Sequence, residues 1–390
     1  MDNAKVLIFS TAKSGTGVAQ FNEHIGAALL EDRREVVIAQ PEESDYQARM
    51  GEIADVERRY FSKDPYDDIT AFGGDRFLAA ALLVEIRPDL VVISNGFHPL
   101  ASVACMQAAH FFRIPYVTVD GLVAPSLYSW EDNIVNMVSG LYRNAAAVIV
   151  KSRANLETLR QCLRLPAEVG SVIVSGRPET YFQPRNPTLR SALRAHLGIP
   201  IDGVLCLTAA KLEIVKGHSL QIEAMKRLKE RAVWDRLHFI WAGEGEERAN
   251  LEAALDAAGV ADRVNLIGHR TDIADWMDAA DCCVLTSHSE GIPLSVMEAM
   301  AKGLPVVATT VGGTAEALGD TGIPIARPAL TEDCINGLVD ALDSVASDDA
   351  ARCELGAACR ARAEKYFRLE RMLDYYRVVF EKSIKRPESR

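Results

Sequence analysis

Short uninterrupted apolar runs alternate with segments of helical period along the whole chain. In the first half the runs are KVLIFST, EVVIAQ, DLVVISNG, IPYVTVDG and AAAVIVKS, and the helical segments include FNEHIGAALLED, ACMQAAHFFR and RANLETLRQCL. The second half repeats the rhythm with GVLCLTAAK, LHFIWAGEG, VNLIGH, DCCVLTS and PVVATTVGG, spaced by HSLQIEAMKRLKER, EERANLEAALDAAG and DIADWMDAA. A strand that is apolar at every position, rather than at alternate ones, is covered on both faces, and strands spaced by helices pair in parallel. The pattern predicts an α/β protein of two doubly wound, Rossmann-like domains.

The rhythm breaks at VSGRPETYFQPRNPTLR, where Gly176, Pro178, Pro184 and Pro187 interrupt both periods. The first domain is therefore expected over 1–185 and the second over 186–366, entered through a helix from Asn186 to Leu197. The stretch FRLERMLDYYRVVFEKSIK is amphipathic, so 367–390 are expected to form a helix crossing back to the first domain.

A chain of 390 residues is long enough for two cores. Its net charge of −11 argues against nucleic acid as a partner and leaves membrane contact at most peripheral. No run reaches the roughly 18 apolar residues of a membrane span, and MDNAKVLIFS leads straight into a strand, so the expected location is cytoplasmic, at most peripheral to the inner membrane face. The eight cysteines form no C-x-x-C pair, and Cys282 and Cys283 sit inside an apolar run, where they are expected to be reduced and structural.

The chemistry concentrates in the second half. In SHSEGIPLSVMEAMAKGLP, Pro293 suits a first helical position, and Gly303 with Pro305 ends the segment, which predicts a helix from about Pro293 to Lys302. Leu294, Met297, Met300 and Ala301 form its core stripe, and Glu298 lies off that stripe. The unpaired amides and dipole at the start of such a helix attract phosphate. A lone helix start reads more simply as Glu290 complementing the dipole and Glu298 facing water, unless its context says otherwise. Lys211 and Lys216 stand five residues apart in AAKLEIVKGHS, between a strand and a helix, where they could meet a diphosphate or remain solvated. Gly243, Gly245 and Gly268 end strands, where a ligand can approach backbone in an α/β crevice. After the first strand, Gly15 and Gly17 precede a helix, but Gln20 breaks the dinucleotide fingerprint, so a tight turn is as good a reading as a phosphate loop.

The order AAKLEIVKG, WAGEGEE, LIGHRTDIADWMDAADCCVLTSHSEGIPLSVMEAMAKGLPVVATTVGG resembles the retaining nucleotide-sugar glycosyltransferases of the GT4 family, which have the GT-B fold, with two domains facing across a cleft. The likeness is strongest from about Gly198 to Arg327 and rests on Glu290 and Glu298, seven residues between them. It implies that Glu290 binds the donor sugar and that the amides of Gly291, Ile292 and Leu294 face sugar and phosphate. It further implies that Glu298 holds the ribose, Lys211 and Lys216 grip the diphosphate, Gly15 and Gly17 line a loop over the donor, and the backbone through Gly268, His269 and Arg270 frames the base. Three departures stand out: Lys211 where the family more often has arginine, Asp120 in TVDG where many relatives have a histidine near the reacting sugar, and SGRP in place of the usual linker.

The resemblance implies a transferase moving a sugar from a nucleotide diphosphate sugar, UDP-sugar by family precedent, to a hydroxyl of a glycan, a lipid-linked sugar or a small molecule. The acceptor is expected around Asn95, His98, Asp120, Tyr128 and Trp130. No cofactor is implied, and the absence of Asp-x-Asp fits a site that needs no metal. A GT-B sugar phosphorylase, a nicotinamide-dependent oxidoreductase and a non-catalytic nucleotide-sugar-binding or scaffold protein are the alternatives.

Overall fold

The computed structural model describes residues 4–11, 17–41, 56–61, 76–96 and 99–385. Its contacts divide into two units, Met1–Ser175 with Glu370–Arg390, and Gly176–Leu369. The division falls after Ser175 rather than after Arg185, because Arg177 takes its backbone partners from Phe367 and Leu369.

The first unit runs β1 (Lys5–Ser10), α1 (Gly17–Glu31), β2 (Glu35–Pro41), β3 (Glu57–Phe61), α2 (Arg76–Ile86), β4 (Leu90–Asn95), α3 (Val103–Phe111), β5 (Tyr116–Asp120), α4 (Asp132–Asn144), β6 (Ala147–Val150), α5 (Arg153–Leu163) and β7 (Ser171–Val172). The strands pair in parallel in the order β3-β2-β1-β4-β5-β6-β7. Every residue of β4 and β5 is buried, as continuous apolar runs require.

In the second unit α6 (Pro187–His196), β8 (Val204–Ala209), α7 (His218–Leu228), β9 (Leu237–Ala242), α8 (Arg248–Ala258), β10 (Val264–Gly268), α9 (Ile273–Ala279), β11 (Cys282–Leu285), α10 (Leu294–Ala301), β12 (Val306–Thr309), α11 (Thr314–Leu318), β13 (Ile323–Ile325), α12 (Thr331–Ser347) and α13 (Asp349–Tyr366) follow one another. The sheet order is β10-β9-β8-β11-β12-β13, again parallel. Asn186 caps α6, accepting from the amides of Thr188 and Leu189 at 3.1 Å, and Pro187 opens the helix where its missing N–H costs nothing.

The last helix, α14 (Leu369–Ile384), belongs to the first unit from Glu370 onward. Tyr376 packs on Phe21 of α1, ring centroids 5.1 Å apart, and Arg377 pairs with Asp32 at 3.0 Å. Among the described residues no helix is long and apolar enough to cross a membrane.

Strand order reverses direction between β1 and β4 in the first sheet and between β8 and β11 in the second. Loops leaving the carboxyl ends of such strand pairs splay apart and leave a crevice, the preferred ligand position of open α/β sheets. In the second unit those are the loops carrying Lys216 and Glu290.

Candidate functional site

The loop after β8 and the loop after β11 are joined at several points. The His288 amide donates to Val215 O at 2.8 Å, and Thr286 Oγ1 donates to Gly217 O at 2.9 Å. Gly217 has a φ of +66°, and a Cβ there would come 2.1 Å from Thr286 O, so only glycine allows this approach. Below them Gln221 donates to Thr286 Oγ1 and accepts from Thr208 and Trp241, a buried amide linking both strand ends.

This scaffold brings Lys216 Nζ to 2.8 Å from Glu290 Oε1, where Ser287 Oγ also donates at 2.6 Å. The Glu290 side chain is only 10% exposed, so its charge is held by a cation and a hydroxyl rather than by water. Neighbouring His218 is buried and its pKa is pushed down to about 4, by burial and then by the Lys216 charge, which keeps the imidazole neutral. Behind Glu290, Gly312 has a φ of +51°, and a Cβ there would lie 1.8 Å from Glu290 O. Gly312→Ala is expected to displace the Glu290 loop and destabilise the second unit by about 1–3 kcal/mol, a combined strain and overpacking cost. Denaturant unfolding measures this, and an unchanged midpoint would contradict the contact.

Glu298 does not take the solvated alternative. It lies in α10, one residue shorter than predicted at each end, and is 6% exposed rather than solvated. The short helix is wrapped on more than one side, so a position off the apolar stripe is still buried. Arg177 Nη2 sits 3.0 Å from Glu298 Oε1, with the two side chains 4% and 8% exposed, and the Tyr181 hydroxyl hydrogen-bonds the same carboxyl. Burial pushes the Glu298 pKa up, while the guanidinium and hydroxyl pull it back. Arg177 comes from SGRP, the departure noted in sequence, and Tyr181 lies three residues beyond it; neither was named as a site residue.

The remaining second-unit residues are spread around this centre. Lys211 is largely exposed and paired with Glu213 at 3.4 Å, so the structure does not bring it to Glu290. Gly243 admits backbone rather than open space for a ligand: a Cβ there would meet Ala210 O at 1.9 Å, and at Gly245 it would meet Leu212 O at 2.2 Å. These glycines seat the loop that carries Lys211. Gly268 ends β10 with a φ of +74°, His269 and Arg270 are exposed, and Arg270 is held by Asp272 and lies over Trp276. Gly291 and Ile292 are buried and Leu294 half-buried at the start of α10.

In the first unit Gly17 is the exposed first residue of α1, whereas Gly15 and His98 lie outside the described residues. Tyr128 is buried and packs on half-buried Trp130, centroids 5.2 Å apart. Asp120 is 1% exposed, so it is an interior group of this unit rather than a surface contact. Its Oδ1 accepts from Asn95 Nδ2 and Tyr142 Oη, both at 2.8 Å, and Asn95 in turn accepts from Ser102 at 2.6 Å. Burial pushes the Asp120 pKa up to about 6 against these bonds and the Lys151 charge. Lys151, which sequence reading passed over as a strand end, is itself buried, bonded to Tyr376 Oη at 2.9 Å and 3.9 Å from the Phe21 ring centroid. Its pKa falls to about 7 because burial outweighs the Asp120 carboxylate.

A lysine whose folded pKa is lowered binds fewer protons folded than unfolded between about 7 and its ordinary value of 10.5. Stability from this group therefore rises with pH across that window, by up to about 1.4 kcal/mol per pH unit. Lys151→Met is expected to remove that slope, read as the unfolding midpoint between pH 7 and 10. An identical slope in the variant would contradict the burial of the ammonium.

Both units have the parallel-sheet fold of the GT-B glycosyltransferases. HepE of Anabaena, solved in complex with UDP, superposes with a TM-score of 0.80 at 20% identity over 97% of this chain and 99% of that one. Residues 203–348, the heart of the second unit, match the family "Glycosyl transferases group 1". A D-inositol 3-phosphate glycosyltransferase of Xylanimonas cellulosilytica is 34% identical over 56% of this chain and 53% of its own. The lipopolysaccharide core biosynthesis mannosyltransferase LpsB of Rhizobium meliloti is 30% identical over 54% of this chain and 60% of its own. The chain thus spans about half the length of the curated relatives it matches.

Proposed function

We propose that the chain is a retaining glycosyltransferase of the GT4 type, which moves a sugar from a nucleoside diphosphate sugar to an acceptor hydroxyl without a metal ion. The observation that carries this reading is the Lys216–Glu290 pair, 2.8 Å apart at the switch point of the second sheet and inside the family match. A UDP-sugar is the proposed donor, supported by HepE, which is solved with UDP and with UDP-glucose. The mannosyltransferase and inositol-phosphate glycosyltransferase names of the relatives support a sugar or polyol hydroxyl as acceptor.

In this reading the Lys216 ammonium exchanges its bond to Glu290 for the donor diphosphate, and Glu290, still held by Ser287, accepts from sugar hydroxyls. The first amides of α10, at Gly291, Ile292 and Leu294, face the phosphate. Glu298 offers its carboxyl to the ribose while Arg177 stays paired with it. The bond from the anomeric carbon to the diphosphate oxygen breaks as the bond to the acceptor oxygen forms on the same face, and the acceptor proton passes to the departing diphosphate. No protein nucleophile is needed. Lys216 and the helix start supply the positive potential, strongest where charge develops on the leaving group. Cys206 and Cys282, side by side in core strands as free thiols, suit a reducing compartment and support the cytoplasm as the place of work.

The test is proton NMR of UDP-glucose incubated with the protein and a panel of polyol and sugar acceptors. The reading predicts UDP release with an α-linked product and no dependence on chelator. A β-linked product, or activity that chelator removes, would contradict it.

A further inference from the structure

A cavity of about 460 Å³ opens on the second unit at the amino ends of β11 and β12, the opposite sheet edge from Lys216 and Glu290. Arg185, Arg190 and Arg352 line it, with Asp281, Asp349 and Cys353. We propose that this cavity is a second ligand site, for a small phosphorylated polyol or sugar, whose phosphate is held by Arg185 and Arg352.

The charges around it do not balance. Arg190 Nη2 and Arg194 Nη1 share one acid, Asp281, at 2.6 and 2.8 Å. Both, with Arg185, also take carbonyls at the end of α9, from Asp278, Ala279 and Ala280. Asp278 itself is taken by Lys302 at 2.8 Å. Arg352 Nη1 and Arg236 Nη2 share Asp349, each at 2.9 Å. Every acid here is committed to a cation and two of them serve two guanidiniums each, so positive charge is in excess on a chain whose net charge is −11.

Arg190 and Arg194 pair with Asp281, whereas Arg185 has no carboxylate within ion-pair distance among the described residues. Its Nη2 donates to Asp278 O and Ala280 O, and its buried Nε, like that of Arg194, has no hydrogen-bond partner among the described residues. Burial and then the neighbouring Arg190 push its pKa down, while Asp281 and Asp278 pull it back. Guanidinium is the group best matched to phosphate oxygens, through paired N–H donors. The cavity has room for about fifteen waters at roughly 30 Å³ each, more than a bare phosphate fills. Asp349, 63% exposed at the rim, is placed to accept from hydroxyls on the ligand body.

Cys353 provides the readout, because it is the exposed thiol among the eight cysteines and lines the cavity. Its alkylation by neutral iodoacetamide is followed by peptide mass spectrometry, with inorganic phosphate, glucose 6-phosphate or chloride at equal ionic strength. A ligand at ten times its Kd should slow modification about tenfold. The proposal expects protection by glucose 6-phosphate at lower concentration than by inorganic phosphate, and none by chloride. Protection by inorganic phosphate alone would reduce the site to a simple anion site and overturn the ester; no protection by either would overturn the site. Arg352→Gln, a change at the cavity edge, and Arg185→Gln should each weaken protection at least tenfold, and equal protection in both would place the ligand elsewhere. Lys216→Ala should leave protection intact, which separates failure here from failure of the donor-site reading.

Discussion

Glu290→Gln is expected to lower sugar transfer by about 10²- to 10³-fold in kcat, the loss typical of removing one preorganised polar group from a transition state. The substitution keeps shape and the Ser287 hydrogen bond but removes the charge that faces Lys216 at 2.8 Å. Lys216→Ala should cost a comparable factor, because in the proposed reading the ammonium meets the diphosphate as it departs. The double variant should fall by much less than the product of the two factors, since the residues act as one unit. Single-turnover kinetics on the three variants measure this, with circular dichroism to confirm folding. Independent, multiplicative losses would show that the pair does not share a ligand.

Arg177→Met carries the largest expected stability effect, a loss of about 3–5 kcal/mol, because it leaves Glu298 buried without its cation. The sign of its pH dependence follows from Glu298. Burial already raises that pKa above its ordinary value of 4.5, and without the guanidinium it rises further. A carboxyl with a raised folded pKa holds a proton that the unfolded chain has released, so the stability it contributes is present below about 4.5 and is lost as pH rises through the folded value. The variant should therefore be least impaired in acid. Glu298→Gln in the same background should recover stability near neutral pH and flatten the profile. Urea unfolding from pH 4 to 8 tests both; a variant as stable as the parent at pH 7 would show that the pair carries little.

Much of this architecture was legible in the chain, and the exceptions have physical reasons. Continuous apolar runs such as DLVVISNG and PVVATTVGG became fully buried parallel strands, because a strand covered on both faces has no solvent side to mark. Asn186 and Pro187 marked the start of α6, since capping chemistry is local. Lys216 and Glu290 could be named because both sit at strand ends, yet their pairing is a tertiary fact set by the β8–β11 neighbourhood. The helical period could not decide whether Glu298 is solvated, because it reports one buried face and says nothing of the Arg177–Phe182 segment that covers another. Gly243 was read as room for a ligand, while the space is taken by the carbonyl of Ala210, because a glycine marks close approach without saying by what. Lys151 escaped notice altogether, since a lysine ending AAAVIVKS looks like a strand reaching water.

Isothermal titration of UDP into the native protein, in the presence of chelator and repeated with Lys216→Ala, tests most directly the claim that the switch point of the second sheet is a nucleotide-sugar site. The account predicts one site in the native protein and at least about tenfold weaker binding in the variant, the loss of one charge-assisted contact to phosphate. Equal affinity in the two proteins, or no heat with either, would contradict it.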